Sequence, residues 1–192
     1  SNVIAGSYIT YDSVIKTDEN NKAYIDNFHI SSVEEPIISD CTATGFVNAT
    51  ADGDGIVRSA FISENYDGKT IYSLAAQSYF LYCEKNGTAP VMPKPDSNNR
   101  MWIYYAGRPY DYEHISLSSI LDGTVDPRIF NGCIVLVGAY TSGLQDQFSV
   151  PNSSDQMFGV EIHANIIQGL IDEKTSVPAN KLITSLLSAV IT

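Results

Sequence analysis

Ile134-Val-Leu-Val137, followed by Gly138, is a short unbroken apolar run that predicts a strand buried on both faces. The residues that follow, 140–159, are rich in Ser, Gly, Asp, Asn and Pro, a composition typical of a loop. Beyond this loop, apolar residues recur at helical spacing and predict a helix (Val160, Ala164, Ile167 and Ile171). In open α/β sheets such a loop lies at the carboxyl end of a strand, where ligands bind.

The rest of the chain alternates between predicted strands and predicted helices, which indicates an α/β domain. The strands at 102–105 and 134–137 are joined by a crossover that contains a helix, so we expect them to be parallel neighbours. The predicted fold is therefore α/β, with a mixed, largely parallel sheet flanked by helices, in a single domain over residues 3–174. Further strands are expected at 3–9, 24–30, 45–48 and 56–62, and helices at 71–86, ending at Gly87, and at 115–121, capped by Gly123.

Asp-Gly-Asp-Gly at 52–55 predicts a tight hairpin turn between two strands, because Asp-Gly pairs supply the positive φ that such turns require. Asp52 and Asp54 also match the first two ligand positions of a calcium-binding EF-hand loop. The match then fails, since Ile56 occupies the third ligand position and Ser63 the twelfth. We therefore interpret Asp52, Asp54 and the nearby Arg58 as parts of a structural turn.

The charge balance excludes some classes of partner. The chain has 22 acidic and 11 basic residues and a formal net charge of −11. Nucleic acids and anionic lipid surfaces attract clusters of Lys and Arg, so neither is an expected partner.

The cysteine pattern offers neither a disulfide framework nor a zinc site. Cys41, Cys83 and Cys133 are odd in number and lack C-x-x-C spacing. Free cysteines are often buried, so we expect Cys83 in its helix and Cys133 at its strand to be packed in the core.

No known catalytic or cofactor motif occurs in the sequence. Ser142 is not in a G-x-S-x-G elbow, and no phosphate-binding glycine loop is present, so we expect no cofactor. His163 lies alone within the predicted helix, and we interpret it as a structural side chain or a support for the loop rather than a catalyst. Glu161 and His163 diverge on the helix, and therefore cannot chelate one metal ion.

Two interpretations remain open for Glu161 and Asn165, which are four residues apart and share a helical face. Glu161 lies in the first turn, where the helix dipole favours a carboxylate, so helix stability alone would explain it. Alternatively, Asp146, Glu161 and Asn165 form a polar cluster, beside His163, that pins the long loop or contacts a ligand.

The residues at both ends of the sequence suggest how the chain continues. The predicted strand at 3–9 begins abruptly, which suggests that native sequence precedes it. Residues 182–192 are largely apolar, and both a truncated membrane span and a soluble amphipathic helix fit this composition.

Taken together, the motifs resemble the CHASE2 domain. Gly-Val-Glu-Ile-His-Ala-Asn at 159–165, after Ile-Val-Leu-Val-Gly at 134–138 and a loop with Asp146 and Pro151, is similar to the C-terminal signature of that family. Earlier pieces agree in order: Gly-Phe-Val-Asn at 45–48, Asp-Gly-Asp-Gly-Ile-Val-Arg at 52–58, Ser-Leu-Ala at 73–75, Tyr-Tyr-Ala-Gly at 104–107 and Ile-Leu-Asp-Gly at 120–123. The departures are Cys133, where the family usually has Lys, Tyr104, where it often has Asn, and the absence of the usual strand and helix ahead of Val3.

The resemblance implies an extracytoplasmic sensor module of a bacterial membrane receptor. Such modules precede membrane spans that lead to nucleotide cyclases, histidine kinases or Ser/Thr kinases, and they have no catalytic residues to carry over. We therefore expect residues 175–192 to be a linker and the start of a transmembrane helix. A small molecule or another stimulus is expected to act near the loop 140–158, and the helix 160–172 to pass a shift onward through Pro178. The alternative is a structural ectodomain that forms a homodimer and binds nothing small.

Overall fold

The computed structural model describes residues 2–11, 14–26, 29–32, 37–66, 68–141 and 143–176. Within these ranges the chain is a mixed α/β fold of short strands, three α-helices and two 3-10 helices, at Ile38–Asp40 and Pro127–Phe130. The predicted class is therefore confirmed. The expected linker and membrane segment, 175–192, falls almost wholly outside the described residues, as do Pro178 and Ser142. In the described part, no helix combines the length and the apolar character that crossing a bilayer requires.

The strands pair mainly in antiparallel fashion, so the expected largely parallel sheet was wrong. The largest sheet has β1 (Ile4–Thr10) at its centre, antiparallel to β4 (His29–Ser32) and parallel to β5 (Ala43–Phe46). Four antiparallel pairs complete the described sheets: β2 (Val14–Thr17) with β3 (Ala23–Asp26), β6 (Ser59–Phe61) with β9 (Arg100–Trp102), β7 (Ser63–Tyr66) with β8 (Lys69–Tyr72), and β10 (Gln147–Ser149) with β11 (Gln156–Phe158).

The helices agree with the periodicity of the sequence. They are α1 (Leu74–Asn86), α2 (Leu117–Leu121) and α3 (Gly159–Ile171). The Ser73 hydroxyl oxygen accepts a hydrogen bond from the Ala76 N–H and caps α1, and Gly87 ends it in the left-handed conformation at φ 66°. Glu161 occupies the first turn of α3, where its carboxylate reaches back to the Phe158 N–H.

The hydrophobic core lies where α1 and α3 pack on each other and on the strands around them. Helical spacing places Ile162, Ile166 and Leu170 on one buried face of α3. Cys83 is buried in the same core, as predicted. The remaining core includes Val57, Ala75, Ala76, Tyr79, Met101, Ile103, Val150 and Met157.

The run at 134–137 is not a buried strand, and this prediction was wrong. Ile134, Val135 and Val137 are 41%, 50% and 82% exposed, and Cys133 is exposed as well, not packed in the core. Among the described residues no strand pairs with this run, and β9, which overlaps its expected neighbour, pairs with β6. The run therefore forms one wall of an open groove of about 1180 Å³. Other residues that line the groove include Val3, Ile4, Val47, Leu74, Asp146, Val160 and His163.

Two further expectations about connections were wrong. The strands before and after the turn at 52–55 exist, but β5 pairs with β1 and β6 with β9, so they do not form a hairpin with each other. The long loop 140–158 is not wholly irregular, since it contains the hairpin of β10 and β11. Asn152 at its tip has φ 59°, which a short polar side chain tolerates better than most.

Candidate functional site

Glu161 ties the start of α3 to two separate loops. Its side chain is only 2% exposed. The Tyr110 N–H donates to Oε1 at 2.7 Å, the Phe158 N–H to Oε2 at 3.1 Å, and the Tyr140 hydroxyl to Oε1 at 3.4 Å. Several donors of this kind offset the cost of burying a carboxylate. The carboxylate thus joins three segments that lie far apart in the sequence.

Asn165 makes a second connection one turn further along α3. The residue is 0% exposed, and its Oδ1 accepts a hydrogen bond from the Gly107 N–H at 2.9 Å. Its Nδ2 donates to the Glu161 carbonyl oxygen at 3.0 Å and contacts Met157 Sδ at 3.5 Å. Glu161 and Asn165 therefore hold the 107–110 turn against successive turns of the same helix.

Aromatic rings cover this pair of polar residues. Tyr140 stacks on His114 with ring centroids 4.7 Å apart and lies 4.4 Å from Phe158. Tyr110 meets Phe158 edge to face at 6.1 Å. Burial and the nearby Glu161 carboxylate raise the pKa of Tyr140 above its usual value.

Asp146 lies at the other side of the α3 N-terminus, and no hydrogen bond joins its carboxylate to Glu161 or Asn165 in the described structure. Its carbonyl oxygen accepts from the Gly159 N–H at 3.0 Å. Its carboxylate packs so closely on Gly159 that an added Cβ would lie 2.5 Å from Oδ1. Burial raises the pKa of this carboxyl group. Glu161 and Asn165, two members of the predicted polar cluster, are therefore hydrogen-bonded to each other, whereas Asp146 lies apart from them and lines the groove.

His163 also lines the groove and points away from Glu161. Its Nδ1 is buried and has no hydrogen-bond partner among the described residues. Burial lowers the pKa of the imidazole, and the backbone of Val47 opposes that shift in part.

The turn at 52–55 is held by Arg58. The guanidinium donates to both carboxylate oxygens of Asp54 at 2.8 Å and to Asp52 at 2.9 Å. This contact lowers the pKa of Asp54 to about 2. Within the described ranges, no three His, Cys, Asp or Glu side chains converge in a way that could hold a metal ion.

The 107–110 turn supplies partners of Glu161 and Asn165 through Tyr110 and Gly107, and it was not among the predicted site residues. A cavity of about 210 Å³ lies between this segment and residues 150–153. The Gly107-Arg108-Pro109 triplet, directly after a predicted strand, was the available signal, since ligands gather at the carboxyl ends of strands.

Comparison with known proteins gives one match. The sequence profile of the CHASE2 domain matches residues 3–191, nearly the whole chain. No curated protein and no solved structure shows a significant match.

Proposed function

Since the chain belongs to the CHASE2 domain family, we propose that it is the signal-sensing domain of a bacterial transmembrane receptor. CHASE2 domains are extracellular sensory domains and are generally not enzymes. In this proposal the domain lies on the extracytoplasmic face of the membrane. Its stimulus is a small molecule or another extracellular signal, and the output domain is a nucleotide cyclase, a histidine kinase or a Ser/Thr kinase.

The observation that carries the proposal is the attachment of α3 to the 107–110 turn and to the loop at 140–158. Glu161 and Asn165 make this attachment with hydrogen bonds from Tyr110, Phe158 and Gly107. A stimulus that moves either loop must lengthen these bonds or move α3 with it. It shifts the domain between two states only if its affinity for them differs.

The direction of the signal follows from chain order. The helix α3 is the last described helix, and residues 175–192 follow it. We propose that these residues are the linker and the start of a transmembrane helix, so that a displacement of α3 reaches the membrane.

The test is a conservative change of the connection in the full-length receptor. Glu161→Gln keeps the shape of the side chain but replaces one acceptor oxygen with a donor. We expect an altered output in the absence of stimulus at an unchanged level of receptor in the membrane, measured as cyclase or kinase activity.

Glu113→Gln is the matched control, because Glu113 is an exposed glutamate that lies shortly after the 107–110 turn and outside α3. Its output should equal that of the wild type. Equal output from Glu161→Gln and the wild type, at equal receptor levels, would contradict the proposed route through α3.

A second candidate function is a dimerising ectodomain that sets the spacing of the receptor. The exposed apolar run at 134–137 favours it, because contiguous exposed apolar surface marks interfaces. This function requires that the run be covered by another copy of the chain, independently of any small molecule.

A further inference from the structure

The cavity next to the 107–110 turn is smaller than the roughly 300–1,000 Å³ of most ligand pockets, so it admits only a ligand of a few heavy atoms. Its volume of about 210 Å³ equals that of about seven water molecules at roughly 30 Å³ each. Pro109, Val150 and Met157 supply apolar wall, and Arg108 and Asn152 supply polar groups. A short organic molecule with one polar end fits this combination of size and lining.

Arg108 differs from the other arginines of the chain. The guanidinium of Arg108 has no carboxylate partner among the residues that the structure describes. The other three arginines do: Arg58 pairs with Asp52 and Asp54, Arg100 with Asp52 at 3.5 Å, and Arg128 with Asp126. Arg108 is exposed, and within the described part of the chain no carboxylate neutralises its guanidinium, although the chain as a whole has a net charge of −11.

We propose that this cavity is the stimulus site and that it binds a small organic carboxylate through Arg108. The planar guanidinium matches a carboxylate with two parallel N–H···O bonds, which gives both affinity and orientation. The apolar walls at Pro109 and Met157 accept the hydrocarbon part of the ligand. The volume limits that part to a few carbon atoms.

The site is connected to α3 by the residues on either side of Arg108. The Gly107 N–H is bonded to Asn165, and the Tyr110 N–H to Glu161. A ligand that draws the Arg108 turn inward therefore acts on the same bonds that attach the turn to the helix. This inference rests on the proposed sensory function and names the ligand class for it.

The test measures binding to the 192-residue chain by isothermal titration calorimetry. The probes are acetate, propionate and succinate, each paired with its uncharged amide, and inorganic phosphate by itself. We expect at least one carboxylate to bind and its amide not to bind. Arg108→Gln should weaken binding about 10- to 100-fold, the loss typical of a charge-assisted hydrogen bond.

Arg128→Gln is the matched control, because Arg128 is 85% exposed and already paired with Asp126. It should leave the affinity unchanged. The carboxylate site is overturned if no probe binds, if amides bind as well as carboxylates, if Arg128→Gln weakens binding as much as Arg108→Gln, or if only inorganic phosphate binds.

A second measurement separates the ligand site from the sensory function. The carboxylate that binds is added to the full-length receptor, and cyclase or kinase output is followed. Binding with a changed output supports both proposals. Binding that is lost in Arg108→Gln but never changes the output keeps the site and overturns the sensory function.

Discussion

At the scale of single residues, Asn165 is the buried polar group on which the site most depends. Asn165→Ala removes the acceptor of the Gly107 N–H and the donor to the Glu161 carbonyl oxygen. We expect the free energy of unfolding to fall by about 1–3 kcal/mol, the usual cost of buried groups left without partners. Urea denaturation measures this change as a lower midpoint at an unchanged m-value.

Asn98→Ala is the control for this substitution, since Asn98 is exposed and lies outside the site. Its unfolding midpoint should stay within error of the wild type. A similar midpoint for both variants would show that Asn165 does not hold the turn to α3.

His163 makes the stability of the domain depend on pH. Burial holds the pKa of its imidazole below the usual 6.5, so the unfolded chain binds a proton at a higher pH than the folded chain does. The stabilising effect of the neutral imidazole is therefore complete above pH 6.5 and is lost as the pH falls below that value. We expect the urea concentration at the midpoint of unfolding to decrease as the pH is lowered from 7.5 to 5.5.

His163→Gln should flatten this dependence, whereas His114→Gln should preserve it, because His114 is exposed and stacks on Tyr140. Asp146 acts in the opposite direction, because burial raises the pKa of its carboxyl group above the usual 3.8, so any stability that this group contributes is present at low pH and is lost as the pH rises. An unchanged slope in His163→Gln would assign the pH dependence to another group.

At the scale of elements, the start of α1 depends on one hydroxyl group. The Ser73 oxygen accepts a hydrogen bond from the Ala76 N–H at 3.2 Å in a buried position. We expect Ser73→Ala to lower the free energy of unfolding by about 1 kcal/mol, as loss of an N-cap does. Ser116→Ala serves as control, since Ser116 precedes α2 without a side-chain capping bond, and its unfolding midpoint should not change.

The contact between β5 and α1 requires a glycine. A Cβ on Gly45 would lie 2.6 Å from the Leu74 backbone, which cannot move without the helix. We expect Gly45→Ala to cost about 1–3 kcal/mol of unfolding free energy, as overpacking does. Gly53→Ala should cost much less, because nothing lies within 4 Å of its added methyl group. Thermal unfolding of the two variants side by side tests the difference, and equal melting temperatures would contradict it.

Elements with strong local patterns could be predicted from the sequence, and elements defined by distant partners could not. The 3.6-residue period of apolar residues and the terminal Gly87 predicted the position of α1, and the same period predicted the position of α3. Glu161 and Asn165 were paired because they lie one turn apart. Their loop partners, Tyr110 and Gly107, are 51 and 58 residues away in sequence, and no local pattern links them. The prediction of a buried strand at 134–137 was wrong for the same reason. The apolar residues of this run indicate a strand, but they do not determine which strand would pair with it.

At the scale of the whole molecule, a strongly acidic chain carries an exposed apolar run at 134–137. Net charge of −11 keeps copies of the chain apart through mutual repulsion. The run at 134–137 opposes this effect, because its exposed apolar side chains favour association with another polypeptide. Salt screens the repulsion but leaves the apolar contact intact, so the balance between the two depends on ionic strength.

We therefore expect the chain to associate reversibly at high concentration, and more strongly in high salt. The double variant Val135→Lys with Val137→Lys should reduce this association, measured by sedimentation equilibrium, because it places two charges on the apolar run. Asn20→Lys with Asn98→Lys adds the same charge at exposed polar positions, which weakens the repulsion between copies, and so should not reduce association. If both double variants associate equally, net charge and not the 134–137 run governs the contact, and the dimerising role loses its structural basis.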